Sequence, residues 1–278
     1  MTPPRRRFFE LAGAFLLGVV VALAVVRPAQ AGKGGSCHPA WKCPPPTSQP
    51  SVVATTASPS SAYTFDDEFD GTALSPVWQR HYNCCGVLAG YDPALATVAN
   101  GMLSLSVENR SGSWWGYLVD TKTTFTQTYG YFEARIQIPK GQGLWPAWWH
   151  YLGTFGNETS ELDTMEVCAN PPGTNGGNDV TLLHTTVHFA NGGQQGYATR
   201  TADLSTAPHV YAEDWRADHV SFFLDGNQVA RFTDAANIPS TPMALLLNLG
   251  VGGSWCGAPG SGTPSPSTML IDWVRVRA

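Results

Sequence analysis

An all-β fold, built as an antiparallel sandwich, is what this sequence predicts, and three observations carry the prediction. Several segments alternate apolar and polar residues with the period of a half-buried strand. Turn formers are dense, with 29 Gly and 21 Pro in 278 residues. No segment shows a long helical period, and no repeat is visible along the chain.

The elements follow in order. Residues 1–31 read as a signal peptide: a basic start, "MTPPRRRFFE", an apolar run, "LAGAFLLGVVVALAVV", and "AQA" before Gly32. Arg5 and Arg6 fit a twin-arginine export signal as well as the general route. The apolar run is 16 residues long, short of the roughly 20 that a membrane span needs. Export and removal are therefore expected over a retained anchor. The protein would be secreted, with cell-surface attachment left open. Residues 32–62 are rich in Pro, Ser and Thr and read as an extended linker.

Folded sequence is expected over 63–278. "GMLSLSVE" alternates. In "YGYFEARIQIP", Phe132, Ala134, Ile136 and Ile138 share one face, and Tyr131, Glu133, Arg135 and Gln137 the other. "VSFFLDGNQVARF" is two strands around a Gly-containing turn. "MALLLNLGVGG" is a buried strand ending in glycines, and "MLIDWVRVRA" closes the chain as a strand.

Composition narrows the partners. The net charge is −5, and residues 1–31 hold four Arg and one Glu, so the remainder is more acidic still. Binding to nucleic acid relies on Lys and Arg neutralising phosphates, which argues against that partner. A neutral or weakly charged partner fits better. All six Cys follow residue 31, and an even count in an exported chain favours disulfides. Cys37 and Cys43 are close enough to close a small loop. Cys84 and Cys85 are then expected to pair with Cys168 and Cys256, in an order that spacing does not fix, because adjacent cysteines are poorly placed to bond each other. Without a CxxC pair, zinc is a weak alternative.

The most informative stretch is "SELDTMEV". In a regular strand Glu161 and Asp163 share a face, but Glu166 points away and Met165 and Val167 join the acids. One β-bulge near Thr164–Met165 repairs both faults. One face then carries Glu161, Asp163 and Glu166. The other carries Leu162, Met165 and Val167, which can pack in a core. Three acids on one face repel each other and raise the pKa of at least one member. Two carboxyls facing one substrate are what glycoside hydrolysis needs. A calcium site and a plain acidic surface are the alternatives that spacing leaves open.

"ELDTME" resembles the E-x-D-x-x-E signature of glycoside hydrolase family 16, the laminarinase-like β-glycanases. "DDEFDG", "YGYFEARIQIPKGQGLWPAWW", "HVYAEDWRADHVSFFLDGNQVARF", "PMALLLNLGVGGSW" and "MLIDWVRVR" are similar to family blocks in the same order, across residues 63–278. The resemblance implies a concanavalin A-like β-jelly-roll with a concave cleft and retaining, endo-acting hydrolysis of a polysaccharide. Glu161 would be the nucleophile, Glu166 the acid/base and Asp163 the acid assisting between them.

In "LWPAWWHY", Trp145 and Trp149 share a strand face and are expected to offer platforms to sugar rings, with Trp148 opposite in the core. His184 and His188 share a face of the following strand, and His188 matches a family histidine near the acid/base. Trp255 is a candidate contact at the rim. No cofactor is expected for catalysis. The resemblance also implies a structural calcium on the convex side, with Asp272 matching a ligand position and Glu68 a second candidate, although Asp272 could equally pair with an Arg. A monomer is expected.

Where relatives carry a "WGN-x-E" stretch, this chain reads "WQRHYNCCGVLAGYDP". β-1,3-Glucan is the first substrate expected, with mixed-linkage glucan and galactan-type polymers open. Transglycosylation and carbohydrate binding without turnover are the other functions this fold would support.

Overall fold

The computed structural model describes residues 62–81, 88, 90–153 and 160–278. The signal peptide, nearly all of the linker, and Cys37, Cys43, Cys84 and Cys85 lie outside the described residues.

Seventeen strands are present among the described residues: β1 (Phe65–Asp67), β2 (Gln79–His81), β3 (Gly90–Tyr91), β4 (Ala96–Ala99), β5 (Met102–Arg110), β6 (Ser113–Gly116), β7 (Leu118–Asp120), β8 (Gly130–Gln137), β9 (Leu144–Tyr151), β10 (Glu161–Glu166), β11 (Leu182–His188), β12 (Gln194–Arg200), β13 (His209–Trp215), β14 (Val220–Leu224), β15 (Asn227–Phe232), β16 (Ala244–Val251) and β17 (Ser267–Arg277). A four-residue helix, α1 (Gly253–Cys256), follows β16. One sheet runs β15-β14-β13-β8-β17-β5-β6-β3, with β1 on β17 and β4 on β5. The other runs β12-β11-β10-β9-β16-β7-β2. Pairing is antiparallel except for β3 with β6. The predicted antiparallel sandwich is what the chain forms.

Alternation decides which residues lie between the sheets. Phe132, Ala134 and Ile136 of β8, and Ile138 just after it, are buried as expected, opposite Leu162, Met165 and Val167 of the other sheet in one continuous apolar core. β16 is buried on both faces: Leu245, Leu247 and Leu249 enter this core, while Ala244 and Leu246 pack on the outer side. The β14–β15 hairpin turns through Asp225 and Gly226, both at positive φ (50° and 76°). That is the turn whose twist matches the flanking strands, and Asp-Gly suits it.

One expectation needs correction. Cys168 bonds Cys256, so neither pairs with Cys84 or Cys85. Cys168 follows β10 and Cys256 ends α1, and the folded sheet brings their Cα atoms to 5.0 Å despite a sequence separation of 88. The two meet because β16, paired with β9, delivers α1 beside the end of β10. The two candidate calcium ligands each face an arginine, as the sequence allowed for Asp272. Asp272 pairs with Arg135, and Glu68 with Arg275, whose Nη2 lies 2.6 Å from Oε1. A guanidinium against each carboxylate supplies positive charge there without an ion. The Tm is accordingly expected to be the same in EDTA as in added calcium. A calcium-dependent rise, lost on Asp272→Ala, would reinstate the site.

Candidate active site

The acids stand on the outer face of the second sheet, where the bulge puts them. Opposite β9, Asp163 pairs with Trp149 and Met165 with Trp148, so Thr164 is the extra residue. Opposite β11 the register shifts in the same interval, between Asp163 and Glu166. Leu162, Met165 and Val167 are fully buried, while Glu161 and Glu166 are only partly covered. The predicted faces are both realised. Thr164, given to neither face by the sequence, points inward beside Met165.

Around the acids the contacts are dense. His188 Nε2 lies 2.8 Å from Asp163 Oδ2 and 3.6 Å from Glu161 Oε1. Trp145 Nε1 donates to Glu166 Oε1 at 2.9 Å. Lys122, which sequence reasoning missed, feels the Glu161 charge and lies over the Tyr151 ring. Glu161, Asp163 and His188 are the one trio among the described residues with ligand atoms close enough to share a metal ion. Asp163 is however already closed by His188 and by a hydrogen bond with Glu161. That arrangement is suited to sharing a proton.

Burial pushes Glu161 up to about 9, and the neighbouring Asp163 charge adds to it. Asp163 is raised by burial and then by Glu166. Glu166 is raised by burial, with the Trp145 hydrogen bond and then His188 pulling the other way. Such a cluster titrates as a unit and holds fewer charges than carboxyls at neutral pH. A proton shared between Glu161 and Asp163 can rest on Asp163 and leave Glu161 anionic, while Glu166 keeps its own. One carboxylate and one carboxylic acid on the same face is the pairing needed for nucleophile and acid.

The aromatic residues divide. Trp145 and Trp255 meet edge to face at 5.0 Å between ring centroids, and His184 meets Trp255 at 4.9 Å. Asn178, also missed, accepts from His184 Nε2 and donates to the Trp255 carbonyl. The Cys168–Cys256 bond ties the Trp255 turn to the residue two beyond Glu166. Trp149 shares the face but is 5% exposed, packed among Leu118, Ala147, Tyr151 and Leu246, with its Nε1 on Asn248. It belongs to the floor and does not form an open platform. Asp272 and Glu68 lie on the other sheet and strand β1's end, away from this group of residues.

Behind the acids lies a second polar group inside the sandwich. Thr164 Oγ1 is 2.7 Å from Glu213 Oε2 and 3.1 Å from His150 Nε2, and all three residues are buried. Burial raises Glu213 to about 8 and lowers His150 to about 3. Both are neutral at pH 7. The sequence held a signal for each: Glu213 falls between Tyr211 and Trp215 on one face of "YAEDW", and His150 is two residues after Trp148.

Comparison with known proteins agrees with this geometry. The model of glycosyl hydrolases family 16 matches residues 90–275. The chain belongs to that family. It is 32% identical over 160 residues to an endo-1,3-1,4-beta-glycanase of Rhizobium meliloti, covering 57% of this chain and 32% of that protein. It is 31% identical over 179 residues to a beta-glucanase of Rhodothermus marinus, covering 56% and 59%. The chain thus matches between a third and three-fifths of these relatives' lengths. Among solved structures, the laminarinase catalytic domain of Thermotoga maritima superposes with a TM-score of 0.66 at 25% identity, covering 77% of this chain and 97% of that one. The laminarinase of Rhodothermus marinus gives 0.64 at 26%, covering 77% and 96%.

The buried groups make stability depend on pH in a definite direction. Glu161 and Glu213 have folded values of about 9 and about 8 against an ordinary 4.5. Their contribution is complete below 4.5 and is lost as pH rises through the folded values. His150 and His184, at about 3 and about 4 against 6.5, act oppositely and lose stability as pH falls below 6.5. Above 6.5 the carboxyls dominate, so Tm is expected to fall between pH 6.5 and about 9. A scanning-calorimetry series that is flat or rising over that range would contradict the assignment.

Proposed function

We propose that this chain is a secreted, retaining endo-β-glycanase acting on β-linked glucan, with β-1,3-glucan as first substrate. The observation that carries the reading is the bulge in β10, which sets Glu161, Asp163 and Glu166 on one partly open face. The family match and the relatives described as glycanases, glucanases and laminarinases support the substrate class. The basic, then apolar, N-terminal segment supports export.

In this mechanism Glu161 attacks the anomeric carbon while Glu166 gives its proton to the departing glycosidic oxygen. A covalent glycosyl–Glu161 ester forms. Glu166, now a carboxylate, takes a proton from water, which attacks the same carbon and releases Glu161. Asp163 accepts the shared proton when Glu161 must be anionic. His188 steadies Asp163 and the developing charge. Trp145 keeps Glu166 aimed, and Trp255 beside it offers an aromatic surface to the sugar on the leaving side.

Digestion of laminarin, lichenan, xyloglucan, agarose and arabinogalactan by the exported chain tests this. Oligosaccharides from laminarin are expected, with turnover abolished by Glu161→Gln. Glu166→Gln should lower kcat by about 10²- to 10⁴-fold. Cleavage that survives Glu161→Gln would remove the nucleophile assignment. Binding to one polymer without products would make the chain a carbohydrate-binding protein instead.

A further inference from the structure

The group inside the sandwich has no part in the chemistry just described, yet it touches the residue on which that chemistry depends. We propose that Glu213 is a positioning residue for the reaction: it reaches across the core from the opposite sheet and ties down Thr164, the extra residue of the bulge, which fixes the strand between Asp163 and Glu166.

Thr164 is the extra residue of the bulge, and its neighbour Met165 is also directed into the core. Two consecutive inward side chains are the local cost of the bulge. A regular strand would also send Thr164 inward, but with Met165 beside the acids and Glu166 in the core. What a bond to Thr164 can fix is therefore where the extra residue sits, and with it the backbone between Asp163 and Glu166. An apolar core by itself holds Thr164 weakly, because its hydroxyl loses hydrogen bonds on burial. Here that hydroxyl donates to Glu213 Oε2 at 2.7 Å and accepts from His150 Nε2 at 3.1 Å. His150 Nε2 also approaches Glu213 Oε1 to 3.4 Å, without a hydrogen bond between them. The anchor is rigid. Glu213 sits mid-strand in β13, paired with Phe132 of β8 and Phe222 of β14. The His150 ring packs against Phe132 and Trp148, with centroids 4.8 and 4.6 Å away.

A carboxyl in this place must be neutral to be harmless. Its charge would act on Asp163, which lies next to Thr164 and is already raised by its neighbours. The other charged group acting on Glu213 is Asp214, on the opposite face of the same strand, and it too favours the protonated form. An amide would then serve nearly as well as the acid, since its carbonyl can still accept from Thr164. A leucine of similar size could not.

The inference rests on the assignment of the three acids above, and two readouts separate its failure from failure of that assignment. The first is steady-state kinetics on the best polymer for Glu213→Leu, Glu213→Gln and Thr164→Val. Glu213→Leu and Thr164→Val should lower kcat roughly ten- to a hundredfold with KM nearly unchanged, as misplaced catalytic groups do. Glu213→Gln should recover most of the loss. The second needs no turnover: carboxyl 13C titration of the same variants. The midpoints of Glu161 and Glu166 should move in Glu213→Leu and Thr164→Val and stay in place in Glu213→Gln. Thr164→Val, which keeps shape and removes only the hydroxyl, stands in if the leucine variant does not fold. Unmoved site midpoints in Glu213→Leu and Thr164→Val, or a glutamine variant as impaired as the leucine one, would overturn the proposal.

Discussion

Everything at this site depends on one extra residue in one strand. With Thr164 inserted between Asp163 and Met165, β10 sends Leu162, Met165 and Val167 into the core and leaves three acids outside. A strand of strict alternation could not do both. It would bury Glu166 and expose Met165 and Val167, and both are unfavourable. The core therefore enforces the bulge from the apolar side. On the polar side the spacing it creates allows two carboxyls to address one sugar while a third lies between them.

The remainder of the site is fitted to that strand. β9 supplies Trp145 to Glu166, and β11 supplies His188 to Asp163 and Glu161. β16 ends in glycines that turn into α1, where Trp255 stands against Trp145. The disulfide then links α1 back to the end of the catalytic strand. Acid, aromatic surface and covalent tie are thus neighbours along three adjacent strands. Long-range pairing of β9 with both β10 and β16 is what assembles them.

Much of this was legible in the sequence because period-two alternation is a local property. The core face of β8, the Asp-Gly hairpin and the bulge in β10 could all be read from neighbouring residues. The two tryptophans of β9 were placed on the right face for the same reason. Whether a residue on that face is open or covered is not local. Trp149 is covered by a neighbourhood drawn from β7, β9 and β16. The disulfide and the Asp272–Arg135 pair likewise join distant positions, and spacing could not select them. Glu213, Thr164 and His150 are the instructive case. Glu213 and His150 fall on core faces by alternation, Thr164 is the extra residue of the bulge, and each looks unfavourable alone. Only the folded sandwich shows that the Thr164 hydroxyl meets both Glu213 and His150 across it.

The central claim is that Glu161 attacks the sugar directly. The most direct measurement is proton NMR of the anomeric signals during the first minutes of laminarin hydrolysis, before mutarotation mixes them. Two displacements at one carbon preserve configuration, so the new reducing ends should appear as the β anomer and drift toward equilibrium. New ends that appear first as the α anomer would mean a single displacement by water. Glu161 would then be a base acting through that water, and no ester with the sugar would form.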